Sequence, residues 1–239
     1  MFTFSATGTD PVSLEDIDTH YESAQDSKKG LLQTESMILK ARNSADASEP
    51  LAWRLARTYY SLAEVSGKEA AEKYYHRCLE TAEQTIALNN NSAWGFYLRG
   101  LCRGKLGQMQ GLWSSLSMIG PLKKDFQNAV RLDPSVSQGG PHRALGKLYL
   151  ELPGLLGGSV DKSVDHLKQA VRLGPKFADN YLFLADALFE QENYRAAKNT
   201  LQDLLTLIAD SDEPPDAHEI RQKVMLKMTE IDSWIASQP

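Results

Sequence analysis

The sequence predicts an all-α fold: a right-handed helical solenoid of about four helix pairs, with capping helices at both ends. Three observations predict it. Alternating Val/Ile/Thr runs, the mark of strands, do not occur. Apolar residues recur with helical spacing, broken by short Asn, Pro and Gly stops. Similar stops also return along the chain: AVRLDP ends at Pro134, AVRLGP at Pro175 and TIALNN at Asn90. A recurring Ala-x-x-Leu-x-Pro at a helix end marks internal repeats.

Taken in order, the pattern predicts helices at 13–25, 28–44, 50–65, 68–88, 92–107, 120–132, 139–152, 159–173, 177–190, 193–209 and 215–236. Residues 1–12 read as a disordered tail and 13–239 as one solenoid domain. Within it, 13–49 form an N-terminal capping pair, 50–211 the repeats and 212–239 a C-terminal capping helix. The clearest unit runs from Ala178 to Ser211. Tyr181, Leu184, Ala185 and Leu188 fall on its first helix, and Tyr194, Ala197, Leu201 and Leu204 on its second. This is the large–small–large order of the roughly 34-residue tetratricopeptide repeat. Ala185 and Ala197 let the paired helices approach closely.

Earlier units fit the same frame with insertions. The unit near Pro50 carries Trp53, Ala56 and Tyr60, then Ala82 and Thr85. The unit near Ala93 carries Phe96 and Gly100, then Phe126 and Ala129, with about ten extra residues in GQMQGLWSSLSMIGPLK. The unit near Gly139 carries Leu145, Gly146 and Tyr149, then Leu167 and Ala170, with about five extra residues in ELPGLLGGSVDKS. On the last helix Ile220, Val224, Met228, Ile231 and Trp234 share one face and close the stack.

Composition narrows the function classes. The 239 residues carry a net charge of −5 with no basic block, which argues against a nucleic-acid partner. No apolar run is long enough to span a membrane. The start, MFTFSATGTDPVS, has neither a basic n-region nor a long apolar h-region, so the protein reads as cytoplasmic as written, and as periplasmic if a leader was removed. Cys78 and Cys102 fall in helical patterns as small buried thiols; a single disulfide is neither required nor excluded. The five histidines are scattered, which disfavours a zinc site.

Three stretches resemble known proteins: SEPLAWRLARTYYSLAE, CLETAEQTIALNNNSAWGFYLRGLCRG and HRALGKLYLELPGLLGGSVDKSVDHLKQAVRLGP. They are similar to the tetratricopeptide proteins grouped as TRAP-transporter T components (TatT) and to the C-terminal half of the regulators of microtubule dynamics. The T-component resemblance implies a trimeric periplasmic lipoprotein that pairs with a substrate-binding protein and offers a channel to an apolar ligand. The sequence departs from that pattern in having no leader and no lipobox cysteine.

The glycine-rich stretch invites a phosphate-loop reading, but no strand precedes it and Asp161 stands where a lysine would help. An elongated turn accounts for it: Pro153 and Gly154 stop one helix and Ser159 caps the next. Leu155 and Leu156 at its tip either fold back onto the solenoid or face a ligand or partner.

Solenoids of this kind bind on their concave face, which here includes Arg54, Trp94, Tyr97, Arg143, Lys147, Leu150, Asp186 and Phe189. Arg143 and Lys147 lie one helical turn apart and, with Arg54, suit a carboxylate or other anion; surface ion pairing is the alternative. The apolar insertion around Trp113 would roof the same face together with Leu155 and Leu156, as a covered pocket or as a homo-oligomer contact. No nucleophile elbow, HExxH or paired-carboxylate motif appears, and no cofactor motif. His142 and His166 lack an identifiable nucleophile partner. The expectation is a non-enzymatic binding scaffold for a peptide or protein partner. The alternative is a transport accessory protein holding a small apolar or amphipathic ligand.

Overall fold

The computed structural model describes residues 12–44, 48–109, 111, 116–210 and 217–237. Eleven α-helices and no strand occur among the described residues. They are α1 (Leu14–Ala24), α2 (Lys28–Ser44), α3 (Glu49–Glu64), α4 (Lys68–Leu88), α5 (Ala93–Met109), α6 (Leu116–Leu132), α7 (Val136–Glu151), α8 (Val160–Leu173), α9 (Ala178–Glu190), α10 (Tyr194–Asp210) and α11 (Ala217–Ser237). The chain divides into two compact units, Met1–Met118 and Ile119–Pro239.

In the first unit α1 packs on α2, α2 on α3, α3 on α4 and α4 on α5, while α3 also touches α1 and α5. The odd-numbered helices therefore share one layer and the even-numbered ones the other, as in stacked helix hairpins. Ile17, Leu31, Ile38, Leu55, Tyr59 and Leu62 fill the core between them. Cys78 of α4 and Cys102 of α5 lie in the same core, both fully buried, and are joined by a disulfide with Cα atoms 6.1 Å apart. Sequence alone leaves that bond open. A capping box at Ser13 starts α1: its hydroxyl accepts from the Asp16 N–H at 3.0 Å, and the Asp16 carboxylate accepts from the Ser13 N–H at 3.1 Å.

In the second unit α7 packs on α8, α8 on α9, α9 on α10, and α11 on both α9 and α10. Leu167, Leu184, Ala185, Leu188, Ala197, Leu201 and Leu204 are all buried in its core, with Ile220, Val224 and Ile231 of α11 sealing the end. Close approach is obligatory at Gly146, where an added Cβ would stand 2.5 Å from Leu167 Cγ.

Two boundaries differ by more than two residues from the sequence reading. α6 begins at Leu116 rather than 120 and carries Pro121 inside it, beyond the first turn; a proline there has no N–H to give the carbonyl four residues earlier, so one helical bond is missing at that point. At the start of α7, Ser137 (φ 50°) and Gln138 (φ 55°) are left-handed, so the regular helix begins only after them. Such strain persists where surrounding bonds over-determine it, and here Asn180 supplies them. Its Nδ2 donates to the carbonyls of Gln138 (3.0 Å), Ala170 (2.9 Å) and Gly174 (3.0 Å), from a side chain with no exposure.

The glycine-rich stretch forms the elongated turn. Gly154–Leu156 make one 3-10 turn, Gly157 closes it at φ 90°, and the Ser159 hydroxyl accepts from the Lys162 N–H at 3.3 Å to cap α8.

Candidate functional site

Two surfaces gather the residues expected to bind, one in each unit. In the first unit they lie on the α1, α3 and α5 layer. Helical spacing on α3 brings Arg54 and Arg57 to one side, where both reach Asp18 of α1. Arg54 Nε donates to Asp18 Oδ1 at 3.0 Å and its NH2 to Oδ2 at 2.5 Å; Arg57 NH2 donates to Oδ1 at 2.7 Å. Burial pushes the Asp18 carboxyl up, but the two guanidiniums outweigh it and hold it below the ordinary carboxylate range. Arg54 sits 4.1 Å above the Trp53 ring, and Arg57 3.8 Å above Tyr21. Trp53 and Trp94 stack with centroids 4.5 Å apart and planes 4° from parallel, and Tyr97 meets Trp94 edge-on at 6.1 Å. Arg54, Trp94 and Tyr97 thus come together, with their charge and rings engaged by one another and by α1.

Arg143 and Lys147 take up positions inside the second unit. Arg143 is 9% exposed; its NH1 donates to Asn180 Oδ1 at 2.9 Å and its guanidinium covers the Phe177 ring at 4.3 Å. Lys147 Nζ lies 4.2 Å above Phe183. Asp186 pairs with Lys227 of α11. Phe189 packs edge-on against Tyr194 (5.4 Å) and Trp234 (5.8 Å).

Asp186 and Phe189 line a groove of about 460 Å³ on the layer made by α7, α9 and α11. Leu150, Ala185, Glu190, Lys227, Glu230 and Ile231 complete its lining. Repeat position puts Leu150 on this face, whereas no sequence signal points to Lys227 and Glu230. The apolar stripe of α11 predicts closure of the stack, and nothing in spacing alone says that the flank of that stripe borders a cavity. Leu155 is fully exposed and Leu156 half-buried, and neither lines the groove. Trp113 falls outside the described residues.

One pairing escapes sequence reasoning altogether. His142 Nδ1 and His166 Nδ1 approach to 2.9 Å, with Tyr149 stacked on His166 at 5.5 Å. Burial, then the neighbouring His166 and Arg172, push the His142 imidazole down to about 4; burial lowers His166 too. One neutral ring therefore donates to the other. Among the described residues no three His, Cys, Asp or Glu side chains converge on a metal position, and no helix is long and apolar enough to cross a membrane.

Comparison with known proteins agrees with this architecture. A thermophilic tetratricopeptide protein of Thermus thermophilus superimposes over 90% of this chain and 97% of its own, with a TM-score of 0.65 at 16% identity. MamA of Desulfovibrio magneticus RS-1 does so over 84% and 100%, with a TM-score of 0.52 at 12% identity. These likenesses show the fold. A tetratricopeptide-repeat model matches residues 156–223. Regulator of microtubule dynamics protein 1 of Bos taurus is 30% identical over 123 residues, a match that takes in 51% of this chain and 37% of that protein's length. The model for regulator of microtubule dynamics protein 1-3 matches residues 13–139, more than half of the sequence. This all-α tetratricopeptide chain accordingly belongs to the family of regulators of microtubule dynamics proteins 1–3.

Proposed function

We propose that this protein is a non-enzymatic scaffold that captures a peptide segment of a protein partner in the groove on α7, α9 and α11. The tetratricopeptide fold points to protein–protein interaction in general. The groove is the observation that carries the finer reading. It is open to an extended chain, its floor offers Leu150, Phe189 and Ile231 to an apolar anchor, and half of its lining is charged. A small apolar ligand would call for a dry chamber, whereas a peptide needs this mixture of apolar anchor points and polar rim. The relative's name places that protein in the regulation of microtubule dynamics, and the partner of this chain belongs to the same process in this reading.

Panning a displayed library of random peptides against the full chain tests the site. Binders are expected to lose at least about tenfold in affinity for Leu150→Glu, which puts a charge on the apolar floor. They should keep their affinity for Gln202→Glu, an exposed position on α10. Binders equally indifferent to both substitutions overturn the groove as the site.

A further inference from the structure

We infer that the groove accepts a cationic side chain of the partner, an arginine or lysine flanked by an apolar residue. This rests on the reading of the groove as the peptide site and adds the chemistry of its occupant. Four of the eight lining residues are ionisable: Asp186, Glu190, Lys227 and Glu230. Lys227 is already engaged by Asp186 across α9 and α11. Glu190 and Glu230 are both exposed, and neither has an ion-pair partner among the described residues. The groove therefore holds two uncompensated carboxylates beside an apolar floor.

A long cationic side chain fits both features at once. Its methylene stem lies along Leu150, Phe189 and Ile231 while its head group reaches Glu190 and Glu230. The exposed part of the Phe189 ring adds a cation–π surface. An acidic peptide, or the phosphates of a nucleic acid, would meet like charge.

The experiment uses the panned peptides as probes. Selected sequences are expected to be enriched in Arg or Lys next to a large apolar residue. A synthesised winner should bind the double variant Glu190→Gln/Glu230→Gln about five- to twentyfold more weakly than the native chain, as expected for two solvent-screened charged contacts. Its affinity for the native chain should fall with rising salt, and that dependence should flatten in the double variant. Both glutamates are exposed, so the variant keeps the fold, as its circular dichroism and melting midpoint will show. Winners that lose affinity with Leu150→Glu but bind the double variant undiminished overturn the cationic occupant and leave the groove standing. Winners without a basic residue do the same. A library that yields no binder, or only binders indifferent to Leu150→Glu, overturns both.

Discussion

Asn180 accepts a bond from Arg143 and donates to three backbone carbonyls, all with its side chain fully buried. It ties the left-handed residues at the start of α7 to the end of α8 and the start of α9. Replacing it with alanine removes every one of those bonds, takes one donor from each of three carbonyls and strips a buried guanidinium of its 2.9 Å acceptor. Asn180→Ala is expected to cost about 3 kcal/mol, read as a lowered urea midpoint with unchanged slope. Arg143 is legible in the sequence as a cation on a helix face. That it faces Asn180 and Phe177 is not legible, because Asn180 lies 37 positions away and its bonds form only once α7, α8 and α9 are packed.

Caps and joints carry the elements. Ser159 is readable as the start of α8 from serine followed by a helical pattern, and its hydroxyl does accept the Lys162 N–H. Ser159→Ala should lower stability by about 1 kcal/mol. Leu155, at the tip of the same turn, is fully exposed, so Leu155→Ser should change stability by less than about 0.5 kcal/mol in the same denaturation assay. The Cys78–Cys102 bond joins the second helix of one hairpin to the first of the next across a sequence separation of 24. Closing a loop of that length restricts the unfolded chain, and reduction is expected to remove about 3 kcal/mol. Melting with and without a phosphine reductant checks this, and Cys102→Ala should be insensitive to the reductant. Helical periodicity shows both thiols to be buried, but periodicity on two separate helices does not say which faces meet.

At the scale of the whole molecule, the pH dependence of stability reports on the paired histidines. The folded protein holds His142 near 4 and lowers His166. An unfolded chain takes up protons at these rings at about pH 6.5, which the folded chain refuses. Their contribution is therefore fully present above about pH 6.5 and is lost as the pH falls toward 4. Urea midpoints at about pH 7.5, 6.0 and 5.0 should decline in that order, above the range where most carboxylates titrate. His142→Asn/His166→Asn should flatten the decline.

The sequence by itself determined the helices, their order and the small residues where paired helices touch. Those properties follow from local periodicity, from stops made by Pro, Gly and Asn, and from repetition of one unit, all of which are written along the chain. It also placed Leu150, Asp186 and Phe189 on one face, because repeat position dictates which way a first-helix side chain points. Tertiary structure alone decided which partners those side chains meet. Asp18 reaches Arg54 and Arg57, His142 reaches His166, and α11 brings Lys227 and Glu230 to the edge of the groove. Each of these contacts joins residues distant in sequence. Their distances depend on how far one helix slides and turns against the next, a variable that no single segment of the chain encodes.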